Sequence, residues 1–148
     1  MNLLLSISAG YAIHALHYIA TRNASTPVMT REIADCYDLP YDSTLKILRQ
    51  LSKAGLVRPH RGCQGGFSLI QPPEEISLLK VLEAVDGPVT HGLGMPGGSG
   101  DRELCLRTEE FIREAVLELK QKLGNLSVAD LAMSGQNSYT DGLNQDEQ

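Results

Sequence analysis

Between Thr30 and Ile70 the chain sets out two short helical patterns and then two glycine-punctuated strands, an order that few folds accommodate. The segment REIADCYD predicts a short helix with Thr30 as its cap and Ile33 and Ala34 turned inward. After Leu39-Pro40 a second helix is predicted from Tyr41 to about Ala54. Its buried stripe is Thr44, Ile47, Leu48 and Leu51, and Gly55 closes it as a C′ residue. The opposite face carries Asp42, Lys46, Arg49 and Lys53. A short strand, Leu56-Val57-Arg58-Pro59, then meets the turn RGCQGG and the return strand Phe67-Ser68-Leu69-Ile70. Gly62, Gly65 and Gly66 allow positive φ or close backbone approach there, with Arg61 expected at the tip and His60 on one arm. Two short helices joined by a tight turn, the second basic outside and followed by a hairpin, form a winged helix-turn-helix pattern.

The flanking segments complete the architecture. Ser8 to Thr21 predicts a helix with the apolar stripe Ala12, Ala15, Leu16 and Ile19. Ile13, His14, His17 and Tyr18 give its other face too little polarity for a solvated surface, so this helix is expected to pack on two sides, the second against a partner subunit. Arg22 to Met29 reads as loop. Ser77 caps a further helix, LLKVLEAVD, which Gly87 stops. Pro88 to Gly100 is glycine-rich and aperiodic, and is read as a flexible loop. Glu103 to Leu123 is a long helix with a narrow seam of Ile112, Val116, Leu119 and Leu123, the pattern of a helix that pairs with another helix. The polar tail beyond Ser134 is expected to be disordered. The fold class is therefore mainly α with a small β-wing: a winged helix-turn-helix domain plus a long C-terminal dimerisation helix. Its divisions are 1–87 for the domain, 88–102 for a sensor-type loop, 103–132 for the dimerisation helix and following segment, and 133–148 for the tail.

Charge narrows the partner. The net charge is −5, but residues 1–70 carry seven Lys/Arg against four acids, and Lys46 to Arg61 holds five basic residues and no acid. A phosphate meets the local potential, so this basic stretch fits a polyanion despite the acidic average. A B-form major groove admits one α-helix, whose first residues reach base edges while Lys and Arg meet phosphates. Tyr41, Ser43 and Lys46 are placed to enter the groove, with Arg49 and Lys53 further along as phosphate partners. Arg58, His60, Arg61 and Gln64 extend the contact along the wing, where Arg61 suits a narrow minor groove. Other classes lose ground. No apolar run reaches the roughly 18 residues of a membrane span. The start lacks a basic region and cleavage pattern of the secretory kind, and the three cysteines form no CxxC pair, so a reducing cytoplasm is expected. GxSxG, HExxH, P-loop and dinucleotide motifs are all missing, and no enzyme is expected.

The segments YAIHALHYIA, REIADCYDLP, LKILRQLSKAGLV, RGCQGGFSL and EISLLKVLEAVDG, in this order, resemble the IscR/NsrR-type winged-helix transcription regulators over about residues 1–132. The resemblance implies a homodimer whose long helix crosses its partner, bound to a pseudo-palindromic promoter site through the second helix of the motif and the wing Arg61. Many members hold an iron–sulfur cluster with three cysteines before the long helix. Here that loop offers only Cys105, at the third of those places, and one thiolate cannot supply three of the four usual protein ligands. The cofactor stays open, and a conventional cluster is not expected. His14 matches a place from which some members recruit a histidine ligand, and His17 lies one turn on, so a dimer could join Cys105 to them in a mixed site for a metal. Cys105 could instead act as a redox switch near a helix N-terminus. The reading is a DNA-binding repressor of promoter sites, answering to a small-molecule or metal effector near the loop and first helix. The alternative is a regulator that docks on a partner enzyme through the loop and long helix, with DNA binding secondary.

Overall fold

One apolar helix gathers the others around it. In the computed structural model, which describes residues 6–22, 26–90 and 102–134, α1 spans Ile7–Thr21. Ser6 starts it by accepting a hydrogen bond from the Ala9 N–H (3.0 Å), and its own hydroxyl donates to Asp86 Oδ1 (2.6 Å) at the far end of α4. The stripe Ala12, Ala15, Leu16 and Ile19 is buried as expected, and the small alanines let α3, α4 and α6 close in on α1. α2 (Thr30–Tyr37) and α3 (Tyr41–Lys53) form the helix-turn-helix unit. Strands β1 (Val57–His60) and β2 (Gly66–Leu69) pair antiparallel, with Val57 opposite Leu69 and His60 opposite Gly66. A 3₁₀ turn (Pro73–Glu75) leads to α4 (Leu78–Asp86); α5 (Arg102–Asn125) and α6 (Val128–Ser134) follow.

α3 ends as its sequence implies. The Gly55 N–H bonds to Ser52 O and the Leu56 N–H to Leu51 O (both 3.0 Å), with Gly55 at φ +76°. This is a Schellman closure, and it brings Leu56 into the core beside Leu51. Leu48 and Leu51 are fully buried, each stabilising the fold by about 1.5–3 kcal/mol relative to exposure. Buried Thr44 satisfies its hydroxyl by donating to Pro40 O (3.0 Å).

Several expectations are corrected. Thr30 is the first helical residue of α2 and is buried; Met29 holds the cap position, its N–H donating to Glu32 Oε1 (3.0 Å). The stretch before α2 is not loop throughout, since Val28 and Phe67 exchange both backbone hydrogen bonds (2.9 and 2.8 Å) and lengthen the wing sheet by a bridge. The second face of α1 is covered partly by this chain itself. Tyr37 of α2 sits edge-on to His14 (4.8 Å between ring centroids) and Tyr18 (6.1 Å), and its hydroxyl hydrogen-bonds with His17 Nδ1 (2.7 Å).

The long helix also differs in detail. Its apolar strip is broader than a narrow seam: Leu104, Phe111, Ala115, Leu119, Ile112 and Val116 fall within an arc of about 140° on a helical projection. Leu123, expected in that seam, instead packs against the cluster of Ala9, Leu78 and Leu82, and Lys120 lies 3.9 Å from Glu83 of α4. The segment beyond the helix rejoins the first unit. Leu78 N donates to Leu126 O (2.7 Å) and Val128 N to Ile76 O (2.9 Å), which delivers Val128 to the main core at 3% exposure. Met133 and Ser134, assigned by sequence to the polar tail, complete α6. Residues 91–101, most of the expected flexible loop, and the tail from residue 135 lie outside the described residues.

Candidate nucleic-acid interface

α3 presents Tyr41, Asp42, Lys46, Arg49 and Lys53 to solvent, opposite the stripe that anchors it, with Ser43 half-buried at the margin. Because Ile47, Leu48 and Leu51 lock into the core, the rotation of the helix about its axis is set and so is the direction of its basic face. Among the described residues no ion pair ties up Lys46, Arg49 or Lys53. The three cations are therefore not neutralised by any described residue.

The wing stands beside this face. Val57 and Phe67 point into the core, so the alternation of the strand turns Arg58 and His60 the other way. His60 Nε2 hydrogen-bonds Ser68 Oγ (2.7 Å) on the facing strand, which holds the imidazole while Arg58 remains exposed. The turn closes with Gly65 N donating to Gly62 O (2.9 Å), so Cys63 and Gln64 occupy its apex. Arg61 stands at the shoulder of the turn, not at the tip where the sequence put it, and is exposed. Gly65 and Gly66 answer to steric need. A Cβ on Gly65 would lie 2.5 Å from His60 O, and one on Gly66 (φ +154°) would lie 2.2 Å from Val28 O.

One basic side chain outside the run from Lys46 to Arg61 also reaches this surface. Arg31, in the first turn of α2, places its guanidinium carbon 5.4 Å from the centroid of the Tyr41 ring at the head of α3. The charge pattern of the sequence does not join them; the turn between the two helices does.

A family model described as Rrf2, iron-dependent transcriptional regulator, matches residues 5–134. The chain belongs to the Rrf2 family. It is a DNA-binding transcriptional regulator with a winged helix-turn-helix, and not an enzyme. A Mycobacterium tuberculosis protein named "Putative HTH-type transcriptional regulator MT1325" is 39% identical over 132 residues, spanning 86% of this chain and 80% of that one. The HTH-type transcriptional regulator CymR of Bacillus subtilis is 28% identical over 139 residues, spanning 93% and 92%. Among solved structures, CymR, described as the global cysteine regulator of B. subtilis, superposes with a TM-score of 0.67 at 23% identity, over 89% of this chain and 98% of that one. IscR of T. potens gives 0.67 at 22% identity, over 91% and 90%. The likeness to these structures shows the fold, including the long C-terminal helix.

The sensor residues named from this Rrf2 sequence are not gathered together within one chain. His14 is exposed, with Nδ1 on Gly10 O (2.8 Å) of its own helix, whereas His17 is engaged by Tyr37. Burial, then the neighbouring Cys36 and Tyr18, push the Tyr37 phenol up from its usual pKa, so it stays protonated at neutral pH. Cys105 is half-buried in the first turn of α5. Among the described residues no three His, Cys, Asp or Glu side chains converge as a metal site. The remaining thiols, Cys36 on α2 and Cys63 on the wing, are exposed and sit on separate elements. This donor set does not fit an iron–sulfur cluster held by the chain's own thiolates. No helix among the described residues is long and apolar enough to cross a membrane.

Proposed function

We propose that the protein acts as a homodimer, a repressor that reads a pseudo-palindromic promoter site with one α3 in each of two successive major grooves and Arg61 of each wing in the adjacent minor groove. The observation that carries this reading is α5. This helix has 24 residues and none buried, yet it exposes Phe111 at 74%, Leu104 at 63% and Leu119 at 38%. Every other helix long enough to have a face spends it on the core. An uncovered apolar strip of this kind marks an interaction surface. A second copy suits it because a twofold pair sets two reading helices about 34–36 Å apart, one turn of the duplex.

The signal is read near the segment before α5 and at α1, through Cys105, His14 or His17 together with a small-molecule or metal effector. Its route to DNA is short: α1 packs on α3 and grips α2 through Tyr37, so a tilt of α1 carries the recognition unit with it. Repression would then be lifted by a change in the spacing of the two α3 helices.

Sedimentation of wild type and of a Phe111→Glu/Leu119→Glu variant tests the proposal. Wild type should run as a dimer, and the variant as a folded monomer that has lost promoter affinity. A monomeric wild type that captures a different protein stoichiometrically and ignores duplex DNA at low salt would establish the docking regulator instead.

A further inference from the structure

We infer that Arg31 and Tyr41 form a composite clamp for a DNA backbone phosphate at the head of the recognition helix, with Arg31 as the contact and Tyr41 as the residue that positions it. The inference deepens the proposed interface and rests on α3 facing the duplex. Its foundation is a juxtaposition that the charge pattern does not contain. Arg31 belongs to α2, outside the basic run, yet its guanidinium carbon lies 5.4 Å from the centre of the Tyr41 ring. Both residues are exposed, and Tyr41 keeps 44% of its surface open.

The chemistry of the pair suits an anion. Among the described residues Arg31 makes no ion pair. Its sequence neighbour Glu32 is occupied elsewhere, accepting from the Met29 N–H (3.0 Å). An arginine that had merely found a surface carboxylate would carry no such vacancy. A guanidinium over an aromatic ring loses rotamer freedom while its in-plane N–H donors stay available, and those donors match two oxygens of one phosphate. The location fits as well. In helix-turn-helix proteins the first helix crosses the sugar–phosphate backbone while the start of the second meets base edges. Arg31 lies in the opening turn of the first helix and Tyr41 is the opening residue of the second. The clamp therefore occupies the place where backbone contact passes into groove contact. It would fix how far α3 advances along the groove without itself reading sequence.

The test uses the full-length protein and a duplex of about 30 base pairs selected from a random-sequence pool, long enough for two half-sites. Binding is followed by fluorescence anisotropy across a salt series. Arg31→Ala should weaken binding roughly tenfold on selected and scrambled duplexes alike and lower the log–log salt slope by about one per bound protomer. Arg31→Lys should restore the slope but not the affinity, because a point charge cannot reproduce the fork. In a Tyr41→Leu background Arg31→Ala should cost much less than it does alone. If Arg31→Ala leaves affinity and slope unchanged while Lys46→Ala lowers both, the clamp is refuted and the interface stands. If neither variant changes binding, the interface reading itself fails. Additive effects of Arg31→Ala and Tyr41→Leu would remove Tyr41 from its positioning role.

Discussion

Gly66 shows how narrowly single positions constrain the wing. Its missing side chain admits the Val28 carbonyl, so Gly66→Ala must break the Val28–Phe67 bridge or displace β2, a cost of roughly 2–4 kcal/mol. Gly62 has φ +107° but open space around it, so Gly62→Ala should cost only about 1 kcal/mol from backbone strain. Thermal denaturation of the two variants checks the ranking, and equal losses would refute the steric account. For the interface, Arg61→Ala should reduce promoter affinity roughly tenfold, far more than Arg102→Ala at the start of α5. A gel-shift titration in which the two changes act equally would remove Arg61 from the contact surface. The thiols allow a third expectation. Cys36, Cys63 and Cys105 lie on three different elements, so protein purified without air should contain no stoichiometric acid-labile sulfide. A brown preparation with sulfide matching the protein would overturn it. The glycines and cysteines were plain in the sequence, and their consequences followed from backbone geometry and donor chemistry. Arg61 was plain too, but its shift from apex to shoulder was not, because the turn closes on Gly62 and Gly65 and leaves Cys63 and Gln64 outermost.

Among the elements, α3 was the most readable from sequence because its stripe, its basic face and its closing glycine each depend on residues within about one helical turn. α6 was the least. It is seven residues long and is held by contacts to α1 and to the turn before α4, which lie more than forty positions upstream. Its start does carry a local device: Asp130 Oδ2 accepts from the Ser127 N–H and hydroxyl (both 2.8 Å), and Asp130 N donates back to Ser127 Oγ (3.1 Å). These bonds hold the Asp130 carboxyl below its ordinary pKa. A carboxylate with a depressed folded value contributes its stabilisation in full above the ordinary carboxylate range, and loses it as pH falls through the folded value. Acidification below that range should therefore fray α6, seen as earlier amide exchange at Val128 to Leu131, and Asp130→Ala should show the same fraying already at neutral pH. Unchanged exchange in both cases would show that packing of Val128 alone holds the helix.

For the molecule as a whole, an acidic protein is expected to bind a polyanion because the excess of negative charge lies after residue 70 while Arg31 and the acid-free basic run from Lys46 to Arg61 lie on α2, α3 and the wing. Association should thus weaken steeply with salt, with log affinity falling linearly against log salt as counterions return to the duplex. An affinity indifferent to salt would contradict a phosphate-dominated surface. The dimer of the proposed function is coupled to the same measurement, since a monomeric α5 variant should bind with a shallower slope as well as lower affinity. The long helix was evident from its length and periodicity, but the breadth of its apolar strip was understated, and Leu123, read as interface, is half-buried against the chain's own Ala9, Leu78 and Leu82.

Periodicity, caps and helix-stopping glycines settled which elements form and which face of each is apolar, since those choices are decided by neighbours a few residues apart. They also placed the basic surface and, through five consecutive motifs, the family. Folding in space settled the rest. The pairing of Val28 with Phe67, the return of α6 to α1, the seating of Tyr37 between His14 and His17, and the stacking of Arg31 on Tyr41 each join parts of the chain that carry no mark of one another. Such contacts arise from the packing of whole elements, whose relative positions are set by the shape of a shared core and not by any local pattern.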